Sequence, residues 1–131
     1  MNLGMMESYG LIAIGYIAKQ AEGSWVSAEE ISKEFDIPNA VMVKVMQQYV
    51  RAGVLQSKRG PLGGFSLAKP AKEISLLEII EAVDGPVKNS TEIAEMAKKQ
   101  RFAVKMEATC NKAADQAMAI LEKAKLSDLV K

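Results

Sequence analysis

The chain has 131 residues, 49% of them hydrophobic and 25% charged, the size and balance of one soluble globular domain with a real core. Seventeen Lys and Arg against sixteen Asp and Glu leave a net charge of +1, so affinity for nucleic acid must come from charge placed locally. With no histidine and one cysteine, the chain cannot alone supply a zinc tetrahedron, a four-cysteine iron-sulfur site, a His-held haem, a Ser-His-Asp triad or a disulfide framework.

No apolar run approaches the roughly 20 residues that cross a bilayer, and Met1 to Gly10 lacks the basic start of a signal peptide. The expectation is a cytoplasmic protein with no membrane contact. All nine glycines and all four prolines lie at or before Pro86, and the remainder, from Val87 to Lys131, is rich in the helix formers Ala, Lys, Glu and Met. This contrast divides the chain into a punctuated domain over 1–86, a helical sensor or linker segment over 87–105, and a helix with a tail over 106–131.

Met5, Tyr9, Ile12 and Tyr16 recur at helical spacing, and Ile17 and Ala18 extend that apolar face until Glu22 and Gly23 stop it. Ser27 to Glu30 reads as a capping box, in which the Ser27 hydroxyl takes a free N–H and Glu30 reaches back to the cap. The helix it opens runs to about Phe35. Asp36 and Ile37 form a turn, Pro38 suits the start of another helix, and Met42, Val45, Met46 and Tyr49 face the core until Gly53. Two helices across a tight turn make a helix-turn-helix. Val54 to Lys58 and Phe65 to Ala68 read as strands of a two-stranded wing, bridged by Arg59-Gly-Pro-Leu-Gly-Gly64. Ser75 to Glu78 is a second capping box, opening a helix through Leu77, Ile80 and Val83 that ends at Asp84-Gly85-Pro86. Asn89 followed by Glu92 suits the cap of one more helix, with a break near Gln100. The predicted fold is mainly α with a small β wing, a winged helix-turn-helix followed by a long C-terminal dimerisation helix.

On that last helix Met106, Cys110, Ala113, Ala117, Ile120 and Ala124 fall at alternating steps of four and three, a heptad-like seam. A second row, Ala114, Met118 and Leu121, widens the stripe. Met106, Cys110, Ala113, Ala117, Ile120, Leu121 and Ala124 are therefore expected to pair with another subunit, the alternative being a helix folded back on its own domain. Cys110 has two readings, a small buried hydrophobe in the seam or a redox thiol beside Lys112. Lys98, Lys99, Arg101 and Lys105 form either a solvated face or an anion site. The eight methionines suggest ordinary core packing or a small-ligand cavity.

From Ile37 to Lys72 the chain carries Lys44, Arg51, Lys58, Arg59, Lys69 and Lys72 and no acid. Carboxylates occur at about one residue in eight overall, so this gap is not expected by chance, and it coincides with the second helix of the helix-turn-helix and the wing. That excess fits a phosphate-facing surface.

The motifs resemble the IscR, NsrR and CymR type of bacterial winged-helix regulators, the Rrf-two family. The resemblance rests on Tyr9-Gly-Leu-Ile-Ala13 with Tyr16 and Ala18, on Ala52-Gly-Val-Leu55, and above all on Arg59-Gly-Pro-Leu-Gly-Gly-Phe-Ser-Leu-Ala68. It continues through Ile74-Ser-Leu-Leu-Glu-Ile-Ile80, Asp84-Gly-Pro86 and Leu126-Ser-Asp-Leu-Val130. It implies a homodimer on double-stranded operator DNA, each recognition helix in a major groove and the wing arginine in a minor groove. Gly60, Gly63 and Gly64 then allow a tight wing tip, and Arg59, with Lys58 and Gly60 beside it, enters a narrow electronegative groove. On the recognition helix Asn39, Gln47 and Gln48 suit base edges, Lys44 guanine or phosphate, Arg51 the backbone, and Ala40, Val41 and Val43 thymine methyls. Val41 and Val43 have an equal claim to lateral packing against a neighbouring helix. Ser27 can donate to phosphate as well as cap.

Metal-sensing members of that family carry three cysteines after the Gly-Pro that corresponds to Gly85-Pro86. This chain has none from Val87 to Thr109, and the matching positions fall near Glu92, Lys98 and Val104. No cofactor and no metal are expected. The reading is a dimeric winged-helix repressor without a cluster, answering to a small-molecule effector, its thiol state or a protein partner. The alternative class is a protein-interaction module controlled by an enzyme partner, as the resemblance to cluster-free CymR-type regulators implies. No base, nucleophile and oxyanion constellation supports an enzyme.

Overall fold

The first helix can bury more than one face, and the choice it makes organises the domain. In the computed structural model, which describes residues 3–86 and 92–131, α1 (Met5–Lys19) buries Gly10, Ala13, Ile14 and Ile17. The spacing of Met5 and Ile12 predicts them in the core, yet both are exposed, and Tyr9 and Tyr16 are only half-buried. Apolar residues lie nearly all round this helix, so periodicity alone does not select a side. On the buried face Gly10 leaves room for the ring of Tyr49 to lie against the helix backbone.

Helix α2 (Ala28–Phe35) starts where Ser27 Oγ accepts the Glu30 N–H at 3.0 Å, a cap worth about 1 kcal/mol. The other half of the expected box is not made. Glu30 instead accepts the Tyr16 hydroxyl at 2.6 Å, tying α2 to α1. Asp36 turns the chain in the left-handed region, and α3 (Asn39–Arg51) follows Pro38. Met42, Val45, Met46 and Tyr49 are all fully buried, as their spacing predicts.

Strands β1 (Leu55–Lys58) and β2 (Gly64–Leu67) pair antiparallel with Leu55 opposite Leu67 and Lys58 opposite Gly64. Val26 adds a single bridge on the free edge of β2, exchanging hydrogen bonds with Phe65 at 2.9 and 2.7 Å. The strand pair is thereby fastened to the residue just before the α2 cap. Gly64 has φ 142°, and a Cβ there would come within 2.6 Å of the Val26 carbonyl oxygen, so the junction requires glycine.

A 3-10 turn (Ala71–Glu73) leads to α4 (Leu76–Asp84), where Ser75 accepts the Glu78 N–H at 3.1 Å and Gly85, at φ 81°, ends the helix. Ile79 and Ile80 are its buried residues, with Leu77 and Val83 half-buried. The cap expected at Asn89 lies outside the described residues. Helix α5 (Ile93–Met96) is one turn long, and Lys98 and Lys99 then adopt left-handed φ of 55° and 59°, which breaks the chain just before Gln100 as its sequence suggests. The long helix α6 (Arg101–Lys123) thus begins before Met106. After it the chain doubles back: Leu76 N–H donates to Ala124 O and Leu126 N–H to Ile74 O, both at 2.8 Å. This lets Leu126, at the start of α7 (Leu126–Leu129), join the core of the winged-helix part.

Candidate nucleic-acid interface

Burial of one side of α3 sorts its remaining residues by what they can reach. Asn39, Ala40, Lys44, Gln47 and Arg51 are exposed. Val41 and Val43 are half-buried and packed against the core, the lateral packing that their apolar character allows, and each keeps part of its surface exposed. Gln48 is also half-buried, and its amide oxygen is enclosed without a hydrogen-bond partner among the described residues. The amide oxygen is thus turned inward, while the residue keeps part of its surface exposed.

The wing supplies a second exposed set, Lys58, Arg59 and Gly60. Gly60, at φ 107°, begins a turn closed by Gly63 N–H to Gly60 O at 3.0 Å, and a Cβ on Gly63 would overlap the Lys58 carbonyl oxygen. Both glycines are thus required for a tip this narrow. Leu62 stands 84% exposed at that tip, a residue the sequence reading passed over.

The basic window is less uniform than its count implies. Lys69 Nζ is bound to Glu78 Oε2 at 2.7 Å, so much of its charge is neutralised within the fold. Lys44, Arg51 and Arg59 have no carboxylate partner among the described residues. Ser27 remains at the surface while its oxygen caps α2, which leaves its O–H free to donate. Lys58 Nζ lies 5.6 Å from the ring centroid of Trp25, a contact no local spacing announces because the partners are far apart in sequence.

The seam residues divide between two environments. Met106, Cys110, Ala113 and Ile120 are exposed, Ala117 and Ala124 are half-buried, and Phe102 continues the exposed row toward the start of α6. Leu121, in the second row that widens the stripe and expected to pair with another subunit, is buried within the single chain, because α6 turns that side toward α4. Cys110 is not a buried hydrophobe within one protomer. No helix is long and apolar enough to cross a membrane among the described residues.

A winged helix-turn-helix with this wing defines a class of transcriptional regulators, and comparison with known proteins agrees. Residues 5–131 match the Rrf2 family, described as "Iron-dependent Transcriptional regulator", and the chain belongs to that family. A protein of Aquifex aeolicus (strain VF5) that carries the name of an HTH-type transcriptional regulator is 44% identical over 73 residues, 56% of this chain. The matched region spans half the length of that relative. Among solved structures, CymR (YrzC), the global cysteine regulator of B. subtilis, superposes with a TM-score of 0.78 at 22% identity, covering 99% of this chain and 96% of its own. Staphylococcus aureus CymR gives 0.71 at 27% identity, with 98% and 97% covered. T. potens IscR gives 0.73 at 19% identity, with 99% and 86% covered. The family is one of regulators, not enzymes.

The family's description raises iron, and the donor set here does not suit it. Cys110 is the single thiol of the chain, there is no imidazole, and no three His, Cys, Asp or Glu converge among the described residues. Cys110 also sits on α6, apart from the segment just after Gly85-Pro86.

Proposed function

We propose that this chain is an operator-binding repressor that works as a homodimer and engages DNA as apoprotein. The observation that supports DNA binding most directly is the joint exposure of Lys44, Gln47 and Arg51 on α3 and Arg59 on the wing, with no acid anywhere from Ile37 to Lys72. Helix and wing offer uncompensated cations and amide groups on one acid-free stretch, the chemistry that phosphates and base edges require. Support for the dimer is the exposed row Phe102, Met106, Cys110, Ala113 and Ile120, an apolar stripe of a length that a pairing helix covers. Two copies then present two recognition helices to two half-sites. Small-molecule or protein control of this binding is part of the same reading.

The test is to recover DNA bound by the purified protein from a random pool and to measure affinity for the enriched sequence against salt. A palindromic site whose affinity falls steeply with salt is expected. No enriched sequence, or affinity indifferent to salt, would leave the protein-interaction module as the better account.

A further inference from the structure

Trp25 is the chain's one tryptophan, and the core does not need it. Neighbouring residues of an extended segment face opposite ways, and here Val26 is buried while Trp25 is only half-buried. The indole borders an open groove of about 730 Å³ that it shares with the end of α1, Gln56 and Ser66 on the outer face of the hairpin, and Lys72. What the ring does carry is the Lys58 ammonium, 5.6 Å from its centroid.

Both partners sit at structural joints. Lys58 is the last residue of β1 and adjoins Arg59. Trp25 is held in place by its neighbours, since Val26 is bonded both ways to Phe65 and Ser27 caps α2. A two-stranded ribbon is marginally stable alone, and the wing tip around Leu62 has no core beneath it. The direction of the tip is therefore set where β1 ends, at Lys58, whose ammonium lies over the indole of the residue next to Val26.

We infer that Trp25 is a wing-positioning residue, whose ring face holds Lys58 and so fixes where the wing meets DNA relative to α3. The inference rests on the DNA-binding reading above. It requires the π face of the ring and not merely its bulk, because the attraction is between a cation and the ring quadrupole. Contacts of this kind at partly exposed sites correspond to roughly two- to fivefold in affinity.

The experiment is a double-mutant cycle on the full chain, read as affinity for the selected operator, with thermal unfolding as a control. Trp25→Leu should weaken binding about two- to fivefold with little change in Tm, and Trp25→Phe should stay close to wild type. In the Lys58→Gln background, Trp25→Leu should cost nothing further. Equal losses in both backgrounds would overturn the inference, because the indole would then act without Lys58. Tighter binding by Trp25→Leu would also overturn it, by showing that the ring withholds Lys58 from DNA. If wild type binds no DNA, the DNA-binding reading fails first; if wild type binds and the cycle shows no coupling, the positioning role fails alone.

Discussion

The hydroxyl of Tyr49 occupies the place where a β-carbon on Gly10 would stand. The contact joins the middle of α1 to the buried side of α3, so the seating of the recognition helix depends on a missing side chain. Gly10→Ala forces either the ring or the helix to move. Overpacking of this kind costs about 1–3 kcal/mol, and the expected result is a lower denaturant midpoint with an unchanged m-value. Operator affinity should fall as well, since α3 carries Lys44, Gln47 and Arg51. The double variant Gly10→Ala with Tyr49→Phe, which removes the colliding oxygen, should recover part of the loss.

Tyr49 also makes stability depend on alkaline pH. Burial pushes its phenol well above the usual value near 10, and the negative charge of Glu7 adds to the shift. The folded state therefore keeps a proton that the unfolded chain releases. The sign follows: stability is unaffected below pH about 10 and falls as pH rises above it. The hydroxyl has no hydrogen-bond partner among the described residues, so Tyr49→Phe discards an unsatisfied group and should be neutral or stabilising at pH 7. The variant should also show a shallower alkaline fall in urea unfolding. Part of the fall should persist through Tyr16, whose pKa is raised chiefly by its hydrogen bond to Glu30.

The features legible in the sequence are those written within a few residues. Ser27 and Ser75 both cap their helices, Gly85 stops α4, and the glycines of the wing mark its tight tip. Met42, Val45, Met46 and Tyr49 show their buried face because polar residues occupy the other side of α3. On α1 no such contrast exists, and the choice between Ile12 and Ile14 rests on partners remote in sequence, Tyr49 among them. Leu121 escaped for the same reason, since helical spacing records apolar positions and not which neighbour covers them. Glu30, Trp25 and Leu126 each found their partners through tertiary folding. In the candidate interface, residue type separated Arg59 and Lys44 from the core, but only the fold shows that Val41, Val43 and Gln48 are half-buried while Lys44, Gln47 and Arg51 are exposed.

The proposed dimer can be separated from simple folding defects because two adjacent residues of α6 have different surroundings. Ile120 is 70% exposed in the protomer and Leu121 only 7%. Ile120→Asp should give a folded monomer in sedimentation, with native helix content and weaker operator binding. Leu121→Asp should lower stability itself, because a carboxylate placed against α4 has no partner there. A wild-type protein that remains monomeric at tens of micromolar, a generous concentration for such pairs, would count against the pairing role of α6.

Contacts to DNA should rank by how free each cation is. Arg59→Ala is expected to lose roughly 1–3 kcal/mol of operator affinity if the side chain reads a groove. Lys44→Ala should reduce affinity and flatten the salt dependence. Lys69→Ala should do less to DNA binding, because its ammonium is already spent on Glu78, and should instead loosen the link between the wing and α4. Affinities measured at several salt concentrations, with matched thermal midpoints, check the order. An effect of Lys69→Ala as large as that of Arg59→Ala would contradict it.

The last prediction concerns iron. A two-iron cluster takes about four protein ligands, usually thiolates or imidazoles, and this chain has one thiol and no imidazole. Two chains paired along α6 would bring two Cys110 thiolates at most, so carboxylates would have to complete the set. Glu107 is the nearest in sequence, but its Oε1 accepts the Ala94 N–H at 3.2 Å and thereby ties α6 to α5. Glu7 is buried on α1, under the side that meets α3. Neither is placed as a spare ligand. Protein prepared without oxygen should therefore contain no stoichiometric iron or sulfide, show no visible charge-transfer absorption, and bind its operator with the same affinity before and after chelator treatment. Stoichiometric iron and sulfide, with absorption lost in Cys110→Ser, would reverse the conclusion and make the thiol on α6 a ligand.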